Sequence, residues 1–254
     1  MKLRAPREER EQARIHLRQN FERSFPLYQE EARVQKKMAQ SLAEGLRPLL
    51  AERAVSVLEI GVGTGLLTRA LLEHVKPRFY LAVDLVFTCK YFLRDLPVSF
   101  VVADAEEPSF LKGRFEVIVS NATFQWFRDP WQAVKAYHAL LPPGGILALS
   151  TFGPATMREV RKVALPGLQP LSSWQEVRRE WFEPVRETCW QERLFFPSPL
   201  EVLRHIRHTG ARGHLSLRGT SFRRKDFWKG YERLKTPQGY PLTYEPIILV
   251  WRKP

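Results

Sequence analysis

A chain of 254 residues, of which 44% are hydrophobic, can bury one large core, so we expect a single α/β domain with an insertion. Its net charge of +13 predicts an acidic partner. We find no uncharged apolar stretch of membrane-spanning length and no apolar signal-peptide centre, which argues against a membrane protein and predicts a cytoplasmic one. Cys89 and Cys189 stand about 100 residues apart, a spacing that indicates neither a disulfide framework nor a zinc site.

The N-terminal region predicts helical structure. Residues 1–20 are densely charged, and we expect a loose helix there. From Tyr28 to Leu50, apolar residues recur at helical spacing, which predicts a helix that packs on a sheet. Those residues are Val34, Met38, Leu42, Leu46 and Leu49. Tyr28 comes just before this helix, where a polar-tipped ring suits either a lid over a ligand or a buried structural tyrosine.

The most informative stretch is residues 55–65, VSVLEIGVGTG, an apolar run that breaks into alternating glycines. It predicts a buried parallel strand that ends in a loop needing positive φ and close backbone approach. The helical pattern of residues 66–74 completes a strand, turn and helix, where a nucleotide-like ligand is expected. Leu66 replaces the third glycine of the dinucleotide pattern GxGxxG, which argues against NAD and FAD. The loop glycines are Gly61, Gly63 and Gly65.

Three further apolar runs each end next to polar residues. The runs are residues 79–83, 100–103 and 115–120, and the residues after them are Asp84, then Asp104 with Ala105 and Glu106, and Asn121. Because open α/β folds bind ligands at the carboxyl edge of the sheet, these residues are candidates for one shared site. Asp84 follows the glycine loop by about 20 residues, where an acid can accept hydrogen bonds from both ribose hydroxyls.

The second half of the chain predicts helices and strands in alternation. Capping boxes begin at Ser173 and Ser198, each with a glutamate three residues later. The predicted helices cover residues 130–141, 173–182, 199–208 and 223–234, and the predicted strands cover 146–150, 188–196 and 242–251. Between residues 201 and 225 the chain carries seven arginines or lysines against one acid. We therefore predict a basic helical insertion, about 199–234, between late strands and over or beside the ligand edge.

The strand, the glycine loop and the two acids together resemble the class I S-adenosylmethionine-dependent methyltransferases. The resemblance implies a Rossmann-like α/β fold, with a mostly parallel seven-stranded sheet flanked by helices, and S-adenosylmethionine as the cofactor. It also implies a set of cofactor contacts. Glu59, Gly61, Gly63 and Gly65 surround the methionine part, Asp84 binds the ribose, Leu85 adds a further contact, and Asp104, Ala105 and Glu106 lie near the adenine.

A closer resemblance extends over nearly the whole chain. The segments FPLYQEEARVQKKMAQSL, SNATFQWF, STFGPATMREV and GYPLTY are similar to those of the malonyl-[acyl-carrier protein] O-methyltransferases of biotin synthesis. The resemblance implies methyl transfer to the free carboxylate of a malonyl group on an acidic acyl-carrier protein, an early step of biotin synthesis. It places Tyr28, Gln125 and Trp126 near the transferred methyl group. Asn121 and Phe124 flank the cofactor, and Arg212 is the candidate partner of the malonyl carboxylate.

The chemistry agrees with this resemblance. A malonyl carboxylate is already ionised near pH 7, given a reference pKa near ~4, so the reaction needs positioning rather than a strong base. Three alternatives remain open: an RNA methyltransferase, which the pI of 10.0 suits, a small-acid carboxyl methyltransferase, and a non-methylating assembly-factor relative. We see no separate RNA-binding module, so a nucleic-acid partner is not expected. Trp126 is equally consistent with a plain core position.

The sequence also predicts how the chain is organised. Residues 1–50 form a helical segment that covers the site, residues 51–152 form the cofactor-binding core, and residues 153–254 form the C-terminal part of the sheet with the basic insertion. All three belong to one structural domain in this prediction.

Overall fold

The computed structural model describes residues 7–51, 53–108, 115–163, 180–210 and 224–254. The predicted capping box at Ser173 and the candidate carboxylate partner Arg212 lie outside the described residues. The helices are α1 (Arg7–Glu31), α2 (Arg33–Leu50), α3 (Leu66–Leu72), α4 (Cys89–Phe92), α5 (Pro130–Leu140), α6 (Arg158–Val163), α7 (Pro199–His208) and α8 (Arg224–Glu232). The strands are β1 (Ser56–Ile60), β2 (Phe79–Asp84), β3 (Ser99–Val102), β4 (Val117–Asn121), β5 (Ile146–Phe152), β6 (Glu183–Cys189), β7 (Glu192–Phe196), β8 (Tyr240–Tyr244) and β9 (Pro246–Arg252).

Seven strands form the main sheet, in the order β3-β2-β1-β4-β5-β9-β6. The strands from β3 to β5 pair in parallel, whereas β9 runs antiparallel to both β5 and β6. Every residue of β1 and β5 is buried, as expected for strands covered on both faces. The predicted α/β fold with a mostly parallel seven-stranded sheet is confirmed.

The described residues divide into two compact units. The sheet unit comprises Arg33–Arg158, Leu168–Arg193 and Thr243–Pro254. The helical unit comprises Met1–Ala32, Glu159–Gly167 and Leu194–Leu242. The division into three consecutive segments stays a prediction.

The sheet unit buries its apolar residues on both faces of the sheet. Helix α2 packs against β4, β5 and β9. Of its predicted apolar positions, four are buried and Leu49 is half-buried, with Leu50 buried instead; the four are Val34, Met38, Leu42 and Leu46. The core on the sheet includes the fully buried side chains of Trp251, Phe124 and Tyr137. This burial fixes the strand ends that carry the candidate site.

In the helical unit, α1 packs against α7, and α7 against α8. The side chain of Ser198 accepts a hydrogen bond from the amide of Glu201, which confirms the predicted start of α7. At the end of α1, Oε2 of Glu31 lies 2.9 Å from Nδ1 of His205. Burial favours a raised pKa for Glu31, but the hydrogen bond and charge of His205, and then His208, lower it below its usual value.

Three sequence predictions about the elements are wrong. The predicted strand 188–196 is two strands, β6 and β7, which belong to different sheets, because β6 pairs with β9 and β7 pairs with β8. The predicted closing strand 242–251 is interrupted at Glu245, whose carboxylate accepts a 2.7 Å hydrogen bond from the amide of Ala155. The expected position of Tyr28 before one long helix is also wrong. Tyr28 lies inside α1, and the helical structure is interrupted at Ala32 before α2 begins.

Helices α7 and α8 lie between β6 and β9 in chain order, where the insertion was predicted. Their action as a lid stays a prediction. Among the residues that the structure describes, no helix combines the length and apolar character needed to cross a membrane.

Candidate functional site

The candidate site lies at the carboxyl edge of the main sheet. Strands β1, β2 and β4 end side by side, because Ile60 pairs with Val83 on one side and with Ser120 on the other. The residues that follow these strands therefore meet at one edge, as the sequence predicts. They are Gly61, Asp84 and Asn121, with Asp104 just after the neighbouring β3.

The glycine loop between β1 and α3 has three positive φ angles: 68° at Gly61, 53° at Gly63 and 78° at Gly65. A Cβ atom on Gly61 would collide with the side chain of Thr123, so only glycine lets these segments approach so closely. A Cβ atom on Gly63 would have no neighbouring atom of the described residues within 4 Å. The middle glycine thus faces open space that a ligand can fill.

The carboxylate of Asp84 ties this loop to the end of β2. Its Oδ2 accepts a 2.9 Å hydrogen bond from the amide of Gly63, and its Oδ1 accepts one of the same length from Val86. Burial raises the pKa of Asp84, while these amide hydrogen bonds act in the opposite direction. Because each carboxylate oxygen can accept more than one hydrogen bond, Asp84 has capacity for ligand hydroxyls. Leu85, the next residue, is half-buried.

Glu59 is buried beneath the glycine loop with 1% of its surface exposed. Its Oε2 accepts 2.6 Å hydrogen bonds from the hydroxyls of both Thr68 and Tyr80. Burial raises the pKa of Glu59 to about 7, although both hydrogen bonds act to lower it. The ionisation of this carboxylate is therefore sensitive to pH near neutrality.

The acidic side chains after β3 accept hydrogen bonds from the backbone of the protein. The amide of Glu106 donates a 2.9 Å hydrogen bond to Oδ1 of Asp104. Oε1 of Glu106 accepts hydrogen bonds of 2.7 and 2.8 Å from the amides of Arg128 and Asp129, just before α5. The carbonyl of Ala105 accepts a hydrogen bond from Tyr137. These hydrogen bonds join the segment to α5, and Glu106 holds the start of that helix in addition to its proposed role toward the cofactor.

At the end of β4, the side chain of Asn121 joins three elements. Its Nδ2 donates a 3.1 Å hydrogen bond to the carbonyl of Gln35 in α2, and its Oδ1 accepts one from the hydroxyl of Ser150 in β5. The next residue, Ala122, has a φ of 52°, which is uncommon for a residue with a side chain. Its amide donates a 2.9 Å hydrogen bond to the carbonyl of Ser150, which holds this turn against β5.

The segment after this turn contains three predicted site residues. Gln125 is buried, and its Oε1 accepts a 3.3 Å hydrogen bond from the hydroxyl of Thr151. Phe124 is fully buried, with its ring centroid 4.7 Å from that of Phe127. Trp126 is half-buried. The structure therefore gives Phe124 a place in the core, and contacts of all three residues with substrate or cofactor stay predictions.

Two predicted residues are not placed at this edge by the structure. Tyr28 belongs to the helical unit, and Arg212 lies outside the described residues. Within the described ranges, we find no cluster of three or more histidine, cysteine, aspartate or glutamate residues that could hold a metal ion.

The sequence reasoning missed the residues that support the predicted ones. Tyr80 stands in an apolar run and its ring is buried like its neighbours, so nothing in the pattern of β2 indicates a role for its hydroxyl. Thr68 and Ser150 are likewise buried. The available signal was Glu59 itself, because an acid in the middle of a buried strand needs hydrogen-bond donors.

Comparisons with known proteins agree with this geometry. The sequence pattern of a methyltransferase domain family matches residues 31–212. A putative methyltransferase from Bacillus halodurans C-125 superposes with a TM-score of 0.60 and 19% identity, covering 84% of this chain and 98% of that one. The N-methyltransferase NodS from Bradyrhizobium japonicum WM9, solved with S-adenosyl-L-homocysteine, superposes with a TM-score of 0.55 and 18% identity. The match covers 94% of this chain and 99% of that one. The fold and the glycine-loop site define a class I S-adenosylmethionine-dependent methyltransferase.

Sequence relatives narrow the class. The malonyl-[acyl-carrier protein] O-methyltransferase of Chlorobium phaeovibrioides is 36% identical, over 92% of this chain and 95% of its own. The enzyme of that name from Calditerrivibrio nitroreducens is 32% identical over the same shares, and the one from Haemophilus influenzae is 32% identical over 93% of each chain. The chain belongs to the malonyl-[acyl-carrier protein] O-methyltransferase family.

Proposed function

We propose that this protein transfers a methyl group from S-adenosylmethionine to the free carboxylate of a malonyl thioester carried by acyl-carrier protein. The observation that carries the proposal is the similarity to enzymes of this name over 92% of the chain, a share that includes residues of both the sheet unit and the helical unit. Agreement over both units favours a common acceptor as well as a common cofactor.

The strand edge suits the cofactor. The open space at Gly63 admits a ligand close to the backbone, and Asp84 offers oxygens for ribose hydroxyls. Asp104, Ala105 and Glu106 follow β3 and are the proposed contacts for the adenine, and Leu85, after β2, is proposed as a further cofactor contact. When bound, S-adenosylmethionine supplies a methyl group on a positively charged sulfur. The negative charges of Asp84 and Glu59 favour that cation electrostatically.

The acceptor requires little acid–base chemistry from the protein. Because the malonyl carboxylate is ionised at neutral pH, it would need no base: once it is desolvated and aligned, its oxygen would bond to the methyl carbon as the methyl–sulfur bond breaks and neutral S-adenosylhomocysteine leaves. We assign Tyr28, Gln125 and Trp126 to holding the acceptor in that alignment. Arg212 is the proposed partner of the carboxylate, since an anion removed from water needs a compensating charge.

The basic residues between 201 and 225 suit an acidic carrier protein as the partner. Residues 201–225 have a charge of +6, from seven basic residues and one acid. Such a cluster attracts an acidic carrier protein and accelerates its association at low salt. A malonyl thioester of pantetheine lacks both the acidic surface of the carrier and the phosphates of coenzyme A, so its turnover should depend less steeply on salt.

Mass spectrometry of malonyl-acyl-carrier protein incubated with the protein and S-adenosylmethionine tests the proposal. We expect a gain of one methyl group on the malonyl carrier and none on the matched acetyl carrier, which lacks the free carboxylate. Free malonate and bulk RNA serve as parallel acceptors. Methylation of RNA alone would overturn the proposal in favour of an RNA methyltransferase, and methylation of free malonate alone would point to a small-acid enzyme. Methylation of no acceptor would favour a non-methylating relative.

A further inference from the structure

A small hydrogen-bonded cluster lies beneath the glycine loop. It consists of Glu59 in β1, Tyr80 in β2 and Thr68 in α3. Both hydroxyls donate to the same carboxylate oxygen, Oε2 of Glu59, each at 2.6 Å. The cluster therefore joins the strand that enters the loop, the helix that leaves it, and the strand whose last residue is Asp84.

The cluster is closed to solvent, with exposed fractions of 1% for Glu59, 0% for Thr68 and 2% for Tyr80. Water cannot replace a hydroxyl donor that is removed from such a site, so the carboxylate would lose stabilisation of its charge. Burial and the negative charge of Glu59 raise the pKa of Tyr80 well above its usual value, which keeps its hydroxyl protonated and able to donate.

The surroundings of Glu59 determine how far it is ionised. Strand β4 presents Val119 beside it, which offers no charge. The nearby carboxylate of Asp84 adds a like charge that disfavours ionisation. Burial and the charge of Asp84 together raise the pKa of Glu59 to about 7, and the hydrogen bonds from the two hydroxyls act to lower it. Loss of either hydroxyl would move this pKa further upward.

We propose that Tyr80 and Thr68 are positioning residues for cofactor binding, because their hydroxyl groups keep Glu59 oriented and ionised beneath the glycine loop, where its negative charge attracts the positively charged S-adenosylmethionine. The inference rests on the proposed function in one respect, that S-adenosylmethionine binds at this loop. It predicts that both hydroxyls act on affinity through Glu59.

The test measures the dissociation constant of S-adenosylmethionine between pH 5.5 and 9 by calorimetry, for the wild type and for Tyr80→Phe. A shift of one pKa unit would leave about a tenth of Glu59 ionised at pH 7 instead of half, so we expect about fivefold weaker binding there. Near pH 9 both proteins carry an ionised Glu59, and their affinities should converge. The amine of the ligand titrates identically in both measurements and cancels in their ratio.

Glu59→Gln provides the decisive background. In that background, Tyr80→Phe should leave the pH dependence of affinity unchanged, since the titrating group is gone. Thr68→Val and Thr68→Ser form a matched pair, because serine retains the hydroxyl and valine removes it at similar volume. We expect Thr68→Val to behave as Tyr80→Phe does and Thr68→Ser to resemble the wild type. The threonine pair supplies the same comparison if Tyr80→Phe does not fold.

Equal loss of affinity at all pH values would overturn the inference and assign the hydroxyls to packing alone. A shift that persists in Glu59→Gln would also overturn it. Neither result touches the proposed function, which depends on the acceptor experiment. A wild type that binds no S-adenosylmethionine at any pH would reject the proposed function and the inference together.

Discussion

The amide of Gly63 donates a 2.9 Å hydrogen bond to Oδ2 of Asp84, so the middle glycine of the loop is fixed to the acid at the end of β2. This hydrogen bond is made within the protein, so it joins the loop and the acid without any contribution from a ligand. Preorganisation of this kind reduces the entropy lost on binding. It also means that a change at Asp84 affects the loop as well as the contact with ribose.

Replacing Asp84 tests this arrangement. Asp84→Ala removes the acceptor of the Gly63 amide and the proposed ribose contact, so we expect S-adenosylmethionine affinity to fall by about 1–3 kcal/mol. Asp84→Asn keeps one acceptor oxygen and should lose less. Calorimetry measures both, with the exposed acid Asp95 changed to alanine as the control. Unchanged affinity in Asp84→Ala would contradict the ribose role.

The glycines of the loop should respond differently to alanine. Alanine costs about 1–2 kcal/mol of backbone strain at a positive φ, and this term applies to both Gly61 and Gly63. At Gly61 the new methyl group also collides with Thr123, so thermal unfolding should show a larger loss of stability. At Gly63 it enters the space assigned to the ligand, so cofactor affinity should fall most.

The matched control for both variants is Gly144→Ala. Gly144 has a φ of 73° and, like Gly63, no described atom within 4 Å of an added Cβ, but it lies in the turn before β5. It should show the strain without loss of binding. If Gly63→Ala binds the cofactor as Gly144→Ala does, the open space at Gly63 is not the ligand position.

Glu59 should make stability depend on pH. Its pKa of about 7 in the folded protein exceeds the ordinary value of 4.5, so the folded state holds a proton that the unfolded state has released in this range. The free energy of unfolding should therefore fall by about 3 kcal/mol as the pH rises through this window. Urea unfolding of Glu59→Gln at pH 5 and pH 8 should lack this fall. The same pH dependence in the variant and the wild type would refute the assignment.

The contact between Glu31 and His205 should stabilise the helical unit. Because the pKa of Glu31 is lowered, its contribution is present above the ordinary carboxyl pKa and disappears as the pH falls through the lowered value. Glu31 is partly exposed, so after solvent screening we expect Glu31→Gln to lose less than about 1 kcal/mol at pH 7. Thermal unfolding measures this loss of stability, with Glu30→Gln, a change at the exposed neighbouring residue, as the control. If the two variants lose the same stability, the contact between Glu31 and His205 contributes nothing.

Arg212 is the proposed partner of the malonyl carboxylate, so its loss should impair use of the substrate and not binding of the cofactor. Arg212→Ala should lower kcat/KM for malonyl-acyl-carrier protein by about tenfold or more, the value of a hydrogen bond to a charged group. Affinity for S-adenosylmethionine should change little. Arg94→Ala, which removes an exposed arginine outside the basic stretch 201–225, is the control. Equal loss of turnover and of cofactor affinity would defeat the assignment.

Much of the sheet unit could be predicted because its local signals agree. Continuous apolar runs with β-branched residues indicated β1 and β4, and the three glycines indicated the loop between β1 and α3. Polar residues directly after strands located Asp84 and Asn121, since parallel strands end at one edge. These features depend on residues that are close together in the sequence, so the periodicity of the sequence reveals them.

The remainder depends on partners distant in sequence. The splitting of the predicted strand 188–196 follows from pairing with β8, about 50 residues onward, and with β9, about 60 residues onward, and strand patterns do not specify partners. The use of Glu106 by the amides of Arg128 and Asp129 is a long-range contact of the same kind. Tyr28 was misplaced because the break at Ala32 has no local signal, since neither glycine nor proline occurs between Pro26 and Gly45.

The position of Asn121 has a consequence for how this architecture changes its chemistry. Both ends of its amide are bound by the protein, one by α2 and the other by β5, although it stands at the sheet edge that carries the candidate site. A mutation there would loosen the scaffold before it altered the acceptor. Selection for a new acceptor therefore acts with least penalty on segments outside the strand ends, and one sheet edge can be retained while its substrates diverge.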